Sequence, residues 1–385
     1  MPFTYGQTLN STAEVINYLK GKDPLVDEVL NHPEKYKLQF MYTQFGDGIG
    51  LNTVDGTTND YFFPASVVKL PTALLLLEKM ERLNLDLDMV LKIDGHQNCG
   101  NQLYARNSRD QNQTFRELLE DMIAASDNWH YNALYNFLSP STINAELKKK
   151  GFENSHIYRA FTGCGTSDQL YTNAFYVMSN DTIIYEEGEK WCDPDVMLKA
   201  LPYDSLKLLG SKHENKNRVI VQGPFDFNYN LDISLENLHE MLIRLIFPVA
   251  FSENKQWNIS IENQAFLLNT LKISPRETGS GKYNQVQKYP DNIYKYIMHG
   301  EGMRSNDGIE TWSKIGISYG FTTEVAYILN PKDRVHFFLS MSMYTNANDT
   351  VNDGDYEYES VARPFFSRVS NLLYQYELEK VRADE

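Results

Sequence analysis

The sequence predicts an α+β fold: an antiparallel sheet built from both chain ends, flanked by helices, with a helical region inserted between its halves. Three observations predict it. Residues 38–53 read as two strands around Gly46-Asp47-Gly48, and residues 311–344 read as three more. Between them, apolar residues recur mostly at helical spacing.

Taken in order, Ser11-Thr12-Ala13-Glu14 is a capping box that opens a short helix, and Asp23-Pro24 opens another. Leu38–Thr43 has strand composition, and Ile49–Thr53 is its antiparallel partner. Phe63-Pro64-Ala65-Ser66-Val67-Val68-Lys69-Leu70 then runs into Leu74–Leu77, a buried helix started by Pro64 and ending near Asn84. Residues 85–113 are mostly polar, with Gly95, Gly100 and several Asn, which reads as loop with short pieces of structure. Thr114-Phe115-Arg116-Glu117 is a second capping box, and its helix stops at Ala124-Ala125-Ser126-Asp127-Asn128. The next helix spans Trp129–Leu138.

From Gly163 to Asn230 the pattern is irregular. Ala174–Met178 and Thr182–Tyr185 suit a small hairpin, and Val219–Val221 suits a short strand. Leu235–Phe247 and Asn263–Leu271 are helical by apolar period. Thr311–Tyr319, Thr323–Leu329 and Val335–Tyr344 are strands, the last two joined by Asn330-Pro331-Lys332-Asp333. A closing helix, Ser360–Glu379, carries Val361, Phe365, Val369, Leu372, Leu373 and Tyr376 on one side. No linker or repeat divides the chain. It reads as one catalytic domain over 1–385, with a sheet part (1–62 and 300–385) and a helical part (63–299).

Composition narrows the function. The net charge of −15 argues against nucleic acid or an anionic membrane as partner. No apolar run is long enough to span a bilayer, and the first residues lack the basic start and apolar stretch of a signal peptide. Cys99, Cys164 and Cys192 show no C-x-x-C spacing, and their disulfide state stays open. The eight His form no H-E-x-x-H pair, so neither a metal nor another cofactor is expected.

Chemistry concentrates in three places. Ser66 and Lys69 are three apart at a helix start, so the lysine can take the serine's proton; both residues also suit a plain core helix. Ser126-Asp127-Asn128 lies between helices, where a hydroxyl can relay a proton and an amide can hold substrate, although all three are also common caps. Lys314, Gly316 and Ser318 share one face of a strand. A glycine there would let a substrate backbone lie close, and the lysine would attract an anion; a lysine on an edge strand is equally a guard against aggregation.

The ordered set S-x-x-K, S-D-N and K-x-G resembles the penicillin-recognising serine hydrolases, nearest the class A β-lactamases. The surroundings F-P-A-S-x-x-K-L-P and S-D-N-x-x-x-N-x-L match, and Ser126 follows Ser66 by 60 residues (126 − 66). The resemblance implies a β-lactamase/transpeptidase-like fold with Ser66 as nucleophile, Lys69 as its base and Ser126 as proton relay. It implies that Asn128 orients a substrate amide and that Lys314 supports the relay and draws in a carboxylate. The N–H groups of Ser66 and Ile317 would form the oxyanion hole, with Gly316 and Ser318 beside the substrate. It further implies a monomer that works outside the cytoplasm on β-lactam-like amides, with cytoplasmic placement left open. A carboxypeptidase-like, transpeptidase-like or esterase-like hydrolase, or an inactive binding protein on the same fold, are the alternatives.

Three departures qualify it. Ile315 replaces a hydroxyl residue that contacts the substrate carboxylate in the family. The stretch Arg159–Cys164 lacks the family's deacylation Glu and Asn; Glu153 and Asp168 are the nearest acids but stand outside the pattern. Lys314 follows Ser126 by 188 residues (314 − 126), which implies an insertion over about 165–290. Slow deacylation is the expectation.

Overall fold

The computed structural model describes residues 8–45, 50–58, 60–94, 112–153, 155–161, 170–192, 204–228, 230–290, 292–301 and 308–383. The expected Gly46–Gly48 turn, Cys99, Cys164 and Asp168 lie outside them.

Helices α1 (Thr12–Leu19) and α2 (Pro24–Asn31) start where their caps predict. Ser11 accepts from the N–H of Glu14, and Asp23 accepts from Leu25 and Val26 with Pro24 in the first turn. Strands β1 (Gln39–Phe45) and β2 (Leu51–Asp55) follow, then a 3₁₀ turn (Ala65–Val68) and α3 (Lys69–Leu83). Strand β3 (Val90–Ile93) precedes α4 (Phe115–Ala124), α5 (Asn128–Leu138) and α6 (Pro140–Lys149). Strands β4 (Phe175–Ser179) and β5 (Thr182–Glu187) pair with β3 in the order β3-β4-β5. Helices α7 (Leu235–Ile246) and α8 (Ile261–Lys272) lead to β6 (Glu310–Ser318), β7 (Phe321–Asn330), β8 (Val335–Tyr344) and α9 (Arg363–Ala383).

The main sheet is antiparallel in the order β6-β7-β8-β1-β2, so the two chain ends meet at β1 and β8, with Met41 opposite Ser340. One face packs on α1, α2 and α9 through Val26, Ile315, Phe337 and Phe365. The other packs on α3 and α7 through Leu74, Leu238, Val325 and Phe338. His239 of α7 bridges Thr43 Oγ1 (2.8 Å) and Ser340 Oγ (2.7 Å), and burial drives its pKa down to about 3. A neutral imidazole therefore fixes α7 to the sheet.

The expected hairpin of Ala174–Met178 and Thr182–Tyr185 is formed by β4 and β5, and Asn180 and Asp181, which both take positive φ (47° and 63°), close its tight turn. A short strand, Ile220–Gln222, lies where Val219–Val221 suits one. The closing helix begins at Arg363 rather than Ser360, because Tyr358–Ala362 forms a wider π turn.

Candidate active site

The Ser66 stretch is not a plain helix start. Pro64 precedes the 3₁₀ turn that carries Ser66, and α3 begins only at Lys69. Ala65 is left-handed (φ 45°), a conformation unfavourable for a residue with a Cβ. Such strain needs support from outside the turn. The edge strand β6 supplies it. A Cβ on Gly316 would lie 2.3 Å from Pro64 O, 2.7 Å from Ser66 N and 2.8 Å from Val67 N. The room expected beside Gly316 for a substrate backbone is therefore filled by the turn itself, and the glycine is there for this close approach.

Lys69 is completely buried, and its ammonium reaches across to the α4–α5 turn. Nζ donates to Ser126 O (2.5 Å), Asn128 Oδ1 (2.7 Å) and Ser126 Oγ (3.2 Å). None of these bonds goes to Ser66, the partner that the three-residue spacing predicts. Burial pushes the Lys69 pKa well below the usual lysine range, Lys314 pushes the same way, and Asp127 opposes both. Burial and Lys314 thus favour the neutral form of Lys69, the one that can accept a proton, over the ammonium.

The α4–α5 turn is held by its acid. Ser126 is left-handed (φ 55°), and Asp127 caps α5 by accepting from Trp129 N (2.7 Å) and His130 N (3.1 Å). The other carboxylate oxygen accepts from Lys282 Nζ (2.8 Å) and Tyr283 OH (2.5 Å). Burial would raise the Asp127 pKa, but His130, Lys282 and Tyr283 together hold it well below the usual carboxylate range. Replacing Asp127 with alanine should cost about 1–3 kcal/mol, a lost cap plus a hydrogen bond from Tyr283 and an ion pair whose Lys282 partner is half-exposed, read as a lower urea midpoint. Because the folded pKa is depressed, the stabilisation is present above about pH 4 and is lost as pH falls through the folded value. An unchanged midpoint at pH 7 would show that the turn does not depend on this carboxylate.

Asn132, four residues further, grips the loop opposite. Its Oδ1 accepts from Phe161 N (2.7 Å) and its Nδ2 donates to Phe161 O (3.2 Å). The Phe161 ring consequently lies with its centroid 5.2 Å from Lys69 Nζ. An aromatic ring, not a carboxylate, is clamped beside the lysine.

Strand β6 brings Lys314 to the same cluster. Lys314 is buried, and it lines a small closed space with Ile123, Ala124, Thr270, Tyr294 and Lys295. Burial drives its pKa down to about 7, helped by Lys295 and opposed by Glu324. Gly316 and Lys314 lie on one face of β6, as the period of two predicts, and Ser318 is half-buried at the strand's end. Ile315 points the other way, 1% exposed in the layer beneath α9, and Ile317 packs against that layer. Position 315 is thus a core position in this chain, and its side chain cannot reach a substrate.

The fold and the cluster define a class. The chain has a β-lactamase-like fold of mixed helices and antiparallel sheet. Residues 25–200 match the model of the β-lactamase enzyme family, a span that includes Ser66, Lys69 and Ser126 but not Lys314. Among solved structures, a β-lactamase from Burkholderia ambifaria superposes with TM-score 0.52 at 13% identity, over 90% of this chain and 98% of that one. A β-lactamase from Desulfarculus baarsii gives 0.53 at 12%, over 94% and 97%. A mutant of the class A β-lactamase of the last common ancestor of Gram-negative bacteria gives 0.53 at 14%, over 91% and 97%. Comparison with curated proteins returns no match. At such identities the likeness speaks for the fold alone.

Proposed function

We propose that the protein is a serine hydrolase that forms an acyl-enzyme on Ser66 with a β-lactam-like amide, and that it releases the acyl group slowly. The observation that carries this reading is the buried Lys69 ammonium bonded to both Ser126 and Asn128. Neutral Lys69 takes the Ser66 proton as Oγ attacks the carbonyl carbon. The oxyanion is received by the N–H groups of Ser66 and Ile317, and Ser126 passes a proton to the leaving nitrogen, with Lys314 resupplying it. Asn128 holds the amide beside the scissile bond.

Hydrolysis of the ester needs a second base to hold water on its face, and Phe161 occupies the loop position clamped by Asn132. This departure equally suits a carboxypeptidase-like or esterase-like substrate with a long-lived adduct. Export to the compartment where such substrates occur is part of the proposal. Among the described residues, no helix is long and apolar enough to cross a membrane.

Intact-mass measurement after incubation with a penicillin or an activated serine ester tests the assignment. A single adduct is expected on the native protein and none on Ser66→Ala. A labelled Ser66→Ala protein, with the label on another serine, would refute it.

A further inference from the structure

Beneath the outer edge of β6 lies a second set of charges that the chemistry above does not use. Lys295 is 7% exposed, and its ammonium donates to Leu271 O at the end of α8 (2.7 Å) and to Thr311 O of β6 (3.3 Å). Glu324, on the neighbouring strand β7, is wholly buried. One carboxylate oxygen accepts from two successive backbone donors, Tyr296 N (2.9 Å) and Ile297 N (2.8 Å). The segment bearing Lys295 is thereby fastened to β6, the strand that carries Lys314, through Lys295, and to β7 through Glu324. The second oxygen of Glu324 is buried on the side of the Ser313 hydroxyl. This arrangement is poor as a structural device: two ammonium groups and one carboxylate are enclosed where apolar side chains would pack at lower cost.

We propose that Lys295 is a positioning residue for Lys314, and that Lys295 and Glu324 together decide whether Lys314 carries a proton at the cleft. The inference rests on the acyl-enzyme reading for its consequence in catalysis, but not for the charge coupling itself. Lys295 and Lys314 line the same closed space, so a proton on one opposes a proton on the other. Glu324 stands opposite Ile315, on the other face of the sheet from Lys314, and favours the charged forms of both lysines across one strand. Burial lowers Lys295 and raises Glu324, each against the pull of the other. The remaining ionisable neighbours act from other elements. Lys69 approaches from α3, Asp127 from the α4–α5 turn, Tyr294 from the Lys295 segment itself, and Glu277 acts on Lys295 from beyond α8. A Lys314 held near its point of titration can give a proton to Ser126 after Ser126 has protonated the leaving nitrogen and regain one from water, which a lysine locked in either state cannot do.

The signs of the two substitutions are opposite, which separates coupling from mere loosening. Lys295→Met removes a cation and leaves Glu324 to attract a proton to Lys314, so Lys314 should titrate higher by about one pH unit or more. Glu324→Gln removes the anion, so Lys314 should titrate lower. The direct readout is NMR of ¹³C-methylated or ¹³Cε-labelled lysine in the whole protein, with Lys314→Arg used to assign the resonance. The catalytic readout is the pH profile of the acylation rate with a penicillin, whose rising limb should move with the NMR midpoint. Opposite displacements of the Lys314 midpoint support the inference even if no acylation is seen, in which case only the acyl-enzyme reading fails. A Lys314 midpoint unmoved in both variants, or moved the same way in both, overturns it. Should Lys295→Met fail to fold, a Lys314 midpoint that stays or rises in Glu324→Gln overturns it alone.

Discussion

Replacing Phe161 with glutamate should shorten the lifetime of the Ser66 adduct by about 10²–10⁴, the usual contribution of one positioned base. Phe161 is half-buried, so a carboxylate there can keep contact with water. Its backbone is fixed by both ends of the Asn132 amide, and its side chain is already aimed at Lys69. The substitution therefore adds a base at a prepared position without moving the loop. A water between that carboxylate and the ester carbon would attack the carbon and give its proton to the carboxylate, and the bond to Ser66 Oγ would break as Lys69 or Ser126 returns a proton to that oxygen. The measurement is a chase experiment: label with a penicillin, remove the excess, and follow the adduct by intact mass. A folded Phe161→Glu protein that holds its adduct as long as the native one would mean that Phe161 is not what stalls release. Rapid turnover by the native protein would be equally damaging, since it requires a base elsewhere.

Much of this was legible before any coordinates, because the motifs and the elements that carry them are local. Capping boxes, Pro at a helix start and period-two strands depend on neighbours in sequence, and α1, α2, α4 and β8 begin where those signals say. The site residues that escaped depend on distant pairs. Asn132 belongs to the S-D-N-x-x-x-N pattern, yet its grip on Phe161 spans 29 residues. Lys282 and Tyr283 reach Asp127 across more than 150 residues from a stretch with no periodicity. A lone Lys295 and a lone Glu324 carry no sequence signal. Only the folding of β7 beside β6 brings Glu324 against the segment that carries Lys295.

Lys314→Met should make the protein more stable while slowing acylation, and the gain should depend on pH in a defined direction. Lys314 is fully buried, and none of the described hydrogen bonds reaches its Nζ, so its charge is poorly repaid in the folded state. Its folded pKa of about 7 lies below the unfolded value of about 10.4. Between those values the unfolded chain binds more protons than the native one. Stability therefore rises with pH through that window, and the burial cost is largest near and below pH 7. Methionine has similar length and no charge, so its advantage should be about 2–4 kcal/mol at pH 7, of the size seen when buried charges are replaced by well-packed apolar groups. The advantage should shrink towards zero as pH approaches 10, where native Lys314 and the unfolded lysine are both largely neutral. Urea unfolding of the two proteins at pH 7 and pH 9.5 measures this, alongside acylation by a penicillin. A more stable, more slowly acylated variant with a gain that fades at high pH fits a lysine kept for chemistry rather than for folding. A variant less stable than the native protein at pH 7 would instead make Lys314 a structural cation whose partners outweigh its burial.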